Sequence, residues 1–191
     1  MNGSKGRLSI SGEKCKVQRK KFSYVGITIL CLIMSSSITV SAKGALNTSP
    51  DQEDGIPEDI REICDEVGEE YGICPELLEA IAYHESRFKE DVKNGPHYGL
   101  CQVNVNIHKS RLDKFGYTTA DMLTAYPNIK VAADYLSELY ETYGDDNPVV
   151  LSLYAGFGQD AVDKYLKTGH MTRCVEDILA KSADYERRHG K

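Results

Sequence analysis

The chain has 191 residues and carries 23 Lys and Arg against 29 Asp and Glu, a formal net charge of −6. That length suits one domain with a short extension. The first 42 residues hold seven of the basic residues and one of the acidic ones, so the remainder carries about −12 and offers no electrostatic footprint for nucleic acid or an anionic membrane surface.

Residues 1–42 read as a signal peptide. A basic segment with Lys5, Arg7, Lys14, Lys16, Arg19, Lys20 and Lys21 precedes an apolar run, Phe22 to Val40, and Val40 and Ala42 supply the small residues of a cleavage site after Ala42. The alternative is an uncleaved membrane anchor, for which the run is nearly long enough, although Ser35, Ser36 and Ser37 weaken its second half. Either reading sends the functional part to the cell envelope or beyond, with membrane contact only through this N-terminal segment. Residues 43–56 are polar, with Gly and Pro, and read as a linker.

From residue 57 to 191 the pattern is helical almost without a break. Pro57 opens a helix with Ile60, Ile63, Cys64, Val67 and Tyr71 as its stripe, stopped by Gly72. Pro75 opens a second, whose stripe of Leu77, Leu78, Ile81 and Ala82 runs on to Glu85 before Phe88 resumes it. Residues 93–97 read as loop and "YGLCQVNVN" as a short apolar turn or helix. Thr118 or Thr119 can cap "TADMLTAY", and Pro127 opens the longest helix, with Ile129, Ala132, Ala133, Leu136, Leu139 and Tyr140 inward. Pro148 opens another, followed by "GQDAVDKYLKTG" and "RCVEDILAKSADYERR". No period-two alternation stands out. The expectation is an all-α domain of about seven or eight short helices.

A Glu on a core-facing stripe loses hydration, and near a helix C-terminus it also meets the negative end of the dipole; both favour the protonated acid. Glu85 is therefore the candidate proton donor. The bland alternative is a helix that ends early and leaves Glu85 in water. Cys64, Cys74, Cys101 and Cys174 remain after the leader; they allow two disulfides in three pairings, or four reduced thiols. "HESRF" fails as a zinc motif because Phe88 stands where a second His is needed, and the five histidines have no ligand spacing, so no metal or cofactor is expected.

Glu85-Ser86, followed by Gly99-Leu100-Cys101-Gln102, resembles the Glu-Ser and Gly-Leu-Met-Gln motifs of the soluble-type lytic transglycosylases, relatives of goose-type lysozyme. "SLYAGFG" (Ser152–Gly158) departs from the family's Tyr-Asn-Ala-Gly motif; a one-residue shift lets Tyr154 supply its tyrosine. The resemblance covers about residues 58–165. It implies a lysozyme-like fold and, as substrate, the peptidoglycan glycan strand, cut between N-acetylmuramic acid and N-acetylglucosamine. Glu85 would act as acid and then base, giving 1,6-anhydro products. Ser86 and Gln102 would bind sugar amides or orient Glu85, Gly99 would admit the strand close to the backbone, and Tyr98, Tyr154 and Phe157 would contact sugar. Hydrolysis with Asp91 activating water is the near variant, and a non-catalytic glycan-binding module of an envelope machine is the alternative of another class. Small enzymes of this kind often serve a secretion, conjugation or other envelope-spanning complex.

Overall fold

The computed structural model describes residues 55–191, so the leader and nearly all of the linker lie outside the described residues. Among these residues the chain forms seven α-helices and one small sheet. Helices α1 (Glu58–Tyr71) and α2 (Pro75–Ser86) are joined by a tight turn in which Gly72 is left-handed and its N–H closes on Gly68. Three two-residue strands follow, β1 (Lys93–Asn94), β2 (His97–Tyr98) and β3 (Val103–Asn104), paired antiparallel in that order. Strands this short contain one alternation at most, which explains why the sequence pattern gave no strand. They correct the all-α expectation.

Helix α3 (Lys109–Phe115), a 3-10 turn (Asp121–Leu123) and α4 (Ala125–Tyr143) come next, then α5 (Asn147–Tyr154), α6 (Gly158–Thr168) and α7 (Arg173–Arg188). The side chains of Asp146 and Thr172 cap α5 and α7 by accepting from Val149 N–H and Val175 N–H, leaving fewer orphan donors at each start. Helix α4 starts two residues before Pro127, which sits in the first turn, where its missing N–H costs nothing.

The core is built around α2, which packs on α7, α1 and α4. Leu77, Leu78, Ala80, Ile81 and Ala82 are all buried, and so are Glu76 and Glu79. Helix α2 is therefore enclosed on nearly every side rather than along one stripe. Ile56, at the end of the expected linker, is also buried in the core.

Two carboxyl groups inside a helix need an account. Burial alone would raise the Glu76 carboxyl, but hydrogen bonds from Lys191 (2.6 Å), Cys74 (3.0 Å) and His189 (2.9 Å) hold it down to about 2. Glu79 accepts no hydrogen bond at either oxygen, and burial pushes it up to about 7 against the opposing pull of His189 and Arg61. Neither carboxyl reaches the site described next.

Candidate active site

Helix α2 ends one residue after Glu85. Arg87 and Phe88 then both adopt left-handed backbone, at φ 56° and 60°, and turn the chain sharply toward the sheet. Side chains resist that conformation at a cost of roughly 1–2 kcal/mol per residue. Local contacts offset it: the Arg87 guanidinium lies 4.2 Å from the Tyr83 ring centre and donates to Tyr83 C=O, and Phe88 packs on the same ring at 5.6 Å. The third non-glycine residue at positive φ is Gln102, at 48°. Gln102 lines the cleft, and Arg87 and Phe88 follow Glu85 within three residues of the chain, so the strain concentrates near one site.

The cleft encloses about 310 Å³, at the lower end of ligand-site sizes. Its walls come from the end of α2 (Glu85), the sheet (Asn94, His97, Asn104), the motif turn (Cys101, Gln102), the turn before α3 (Ile107, His108), α4 (Tyr135) and α5 (Tyr154). Glu85 is the single carboxylate in that lining. It makes no hydrogen bond or ion pair among the described residues, and burial raises its carboxyl above the ordinary 4.5; His84 and His97 oppose that rise only when their rings carry charge. An unpaired, half-buried carboxyl that favours its proton is a general acid in waiting.

Three side chains hold the motif turn. Asn128 of α4 is fully buried; its Oδ1 accepts from Cys101 N–H at 2.8 Å, and its Nδ2 donates to Tyr98 C=O and Met122 C=O, both at 2.8 Å. Gln102 donates its amide to Gly99 C=O at 2.8 Å, leaving Oε1 without a partner among the described residues. Behind the turn, Tyr154 donates its hydroxyl to Cys101 C=O at 3.1 Å while its ring lines the cleft. Burial pushes that phenol well above its usual range. Tyr135 links Tyr154 (ring centres 5.8 Å apart) to His108 (4.5 Å), and the Arg111 guanidinium lies 5.2 Å from the Tyr135 ring centre. Burial first, and Arg111 second, keep His108 below its ordinary value, favouring the neutral ring.

Of the residues given a catalytic or sugar-binding role from the sequence, Glu85, Gln102 and Tyr154 meet in this cleft and Ser86, Tyr98, Gly99, Asp91 and Phe157 do not line it. Ser86 is buried outside the lining, and its hydroxyl donates to Ala82 C=O at 3.0 Å within its own helix. Tyr98 follows His97 on β2; successive strand side chains face opposite ways, and its ring lies under the Lys93 ammonium, outside the lining. Gly99 is buried at φ 73°, where a Cβ would come within 2.1 Å of Met122 O and 2.4 Å of Asn128 Nδ2. Its lack of a side chain serves this internal approach, not the approach of a strand. Phe157 and Asp91 are exposed outside the lining. His84, beside Glu85 in sequence, is half-buried. Sequence reading missed the sheet residues and Tyr135. Asn104 lies two residues beyond the recognised Gly99–Gln102 motif.

No disulfide joins Cys64, Cys74, Cys101 and Cys174 to one another; Cys64, Cys74 and Cys101 are buried. No group of His, Cys, Asp and Glu among the described residues is arranged to hold a metal ion. Among the same residues no helix is long and apolar enough to cross a membrane.

The transglycosylase SLT domain model matches residues 62–171, a span that includes both halves of this cleft. The chain belongs to the transglycosylase SLT domain family. By that membership it is classed with the peptidoglycan lytic transglycosylases. Protein IpgF of Shigella flexneri and Protein IpgF of Shigella sonnei are each 38% identical to it over 132 residues, covering 65% of this chain and 86% of the relative. The inactive-mutant crystal structure of lytic transglycosylase Slt from Pseudomonas aeruginosa superposes with a TM-score of 0.59 at 21% identity. That match covers 68% of this chain but 24% of the Slt chain, so the similarity extends to about a quarter of the larger protein and concerns the fold.

Proposed function

We propose that the protein cleaves peptidoglycan glycan strands between N-acetylmuramic acid and N-acetylglucosamine with Glu85 as the sole acid and base, releasing 1,6-anhydromuropeptides. The observation that carries this reading is the lone, unpaired carboxyl in the cleft, together with the burial that raises its affinity for a proton. Two-carboxylate hydrolysis needs a second acid at a fixed separation. Asp91 and Glu90 lie in the turn after α2, outside the cleft lining, which favours the one-carboxyl route over their use in activating water.

In the first step Glu85 protonates the glycosidic oxygen as the bond to the anomeric carbon breaks. Positive charge develops at that carbon, and the N-acetyl carbonyl of the same sugar stabilises it. The Glu85 carboxylate then takes the proton of the muramic acid C6 hydroxyl, whose oxygen closes on the anomeric carbon. The proton count closes on Glu85 itself, and no water enters. A carboxyl raised toward neutrality serves both steps. Gln102, through its unpartnered Oε1, meets a sugar amide, and the Tyr154 and Tyr135 rings form an apolar wall for a sugar face.

The same reading places the enzyme in the envelope or outside the cell, delivered by residues 1–42, with a secretion, conjugation or similar envelope complex as its setting. The test is Glu85→Gln on purified peptidoglycan. The expected loss is 100-fold or more, within the range of roughly 10²–10⁴ for a removed general acid. Activity within tenfold of the parent rules out the assignment of Glu85. The Slt structure from Pseudomonas is itself that of an inactive Glu-to-Gln mutant, which supports the choice of substitution.

A further inference from the structure

The three strands meet at His97. Asn94 and His97 are register partners across β1 and β2, and His97 and Asn104 across β2 and β3. All three side chains line the cleft with Glu85. The Asn104 Oδ1 accepts from two backbone donors, Asn106 N–H at 3.1 Å and Ile107 N–H at 3.2 Å, so the amide cannot turn over without losing both. Its Nδ2, necessarily the donor, therefore faces His97 Nε2 at 3.3 Å. That nitrogen must present its lone pair. The ring proton is then on Nδ1, which lies 3.2 Å from Asn94 C=O, an acceptor. The Asn94 carbonyl permits only the Nδ1–H tautomer or the imidazolium, and the Asn104 donor excludes the imidazolium, so together they permit one neutral ring.

We infer that His97 is a positioning residue for the reaction, clamped by Asn94 and Asn104 as a neutral Nδ1–H imidazole that fixes the cleft turn over residues 104–108 and keeps positive charge away from Glu85. This rests on the reading of Glu85 as the proton donor. A charged ring would set two donors against each other at Asn104, and the clamp would open. It would also favour the Glu85 carboxylate, removing the proton that the leaving oxygen requires. The charged and titratable groups around His97 are Glu85 and His84 from α2, Lys93 on β1 over the Tyr98 ring, and His108 at the end of the turn. Cys101 and Tyr154 lie behind Glu85, where both hold their protons.

The first test needs no turnover. Nitrogen-15 NMR of the imidazole in the full-length folded protein at neutral pH is expected to show the Nδ1–H tautomer at His97. An Nε2–H tautomer or an imidazolium there overturns the inference. The second compares His97→Gln, whose amide can accept from Asn104 and donate to Asn94, with His97→Lys, which places a fixed charge in the cleft. The Gln variant keeps kcat within about threefold of the parent and leaves the alkaline limb of the kcat profile in place. The Lys variant, checked for folding by its melting curve, moves that limb to lower pH by about one unit and lowers kcat at neutral pH about tenfold, with KM changed less. An unmoved limb in folded His97→Lys overturns the electrostatic role. Failure of the underlying reading looks different: Glu85→Gln stays active while the NMR tautomer is unchanged.

Discussion

Removing the Asn128 side chain is the most exacting test of how the fold holds the site. Asn128→Ala deletes one acceptor and two donors in the interior, each in a bond of 2.8 Å. Cys101 N–H, Tyr98 C=O and Met122 C=O are left behind in the space the amide vacates. A buried polar group without a partner costs about 1–3 kcal/mol, and some relaxation is expected around a vacated amide, so the loss should be about 3–5 kcal/mol. For a domain of this size that corresponds to a fall in Tm of roughly 10 °C or more. Asn128→Asp separates the polar argument from a simple cavity argument. It keeps the volume and the acceptor for Cys101 but sets a carboxylate oxygen against two carbonyls, so it should lose at least as much stability as the Ala variant. Urea unfolding followed by far-UV circular dichroism measures both. A loss below about 1 kcal/mol for the Ala variant, or a nearly neutral Asp variant, refutes the claim that this amide ties α4 to the motif turn.

Glu79→Gln should gain stability over the parent as pH rises. The Glu79 carboxyl is raised from 4.5 to about 7 in the folded state, so the parent's stability falls as pH climbs through that window, by something on the order of 2 kcal/mol, and levels off above it. Melting curves at pH 5 and pH 8 decide this, and a Tm difference that does not grow with pH contradicts it. Gly99→Ala should fail to reach the native fold or lose more than about 3 kcal/mol, because its Cβ would meet backbone and the fixed Asn128 amide; a mild thermal shift contradicts this. Tyr154→Phe removes one hydrogen bond, worth about 1 kcal/mol, while the ring remains in the wall. Its kcat should stay within tenfold of the parent, whereas a 100-fold loss would show that the hydroxyl acts on the substrate.

Most helices were legible because they carry a periodic apolar face and a Pro, Gly or capping residue at an end, as in α1 between Pro57 and Gly72; the short α3 was not read from its pattern, and the segment capped at Thr118 or Thr119 is a 3-10 turn at Asp121–Leu123 leading into α4. Glu85 was legible for a related reason: a carboxyl on a core-facing stripe is a local contradiction that demands a function. The same logic overlooked Glu76 and Glu79, because α2 is enclosed by α1, α4 and α7 together, and one helix pattern cannot reveal how many neighbours surround it. Motif neighbours proved a poor guide to contact. Ser86 and Tyr98 each adjoin a cleft residue in sequence, yet helix rotation and strand alternation turn them away. His97, Asn94 and Asn104 were invisible as a group, since only strand pairing brings them together, and two-residue strands leave no periodic trace. Tyr135 needed the crossing of α4 past α5 to become part of the wall.

The central claim is that one carboxyl performs both steps and that the attacking group is the sugar's own hydroxyl. Mass spectrometry of the muropeptides released from purified peptidoglycan tests it most directly. The expected products end in 1,6-anhydro-N-acetylmuramic acid, lighter than a reducing end by the mass of one water, and they resist borohydride reduction. Products with reducible N-acetylmuramic acid ends would contradict the account and show that water, not the C6 hydroxyl, completes the reaction that Glu85 begins.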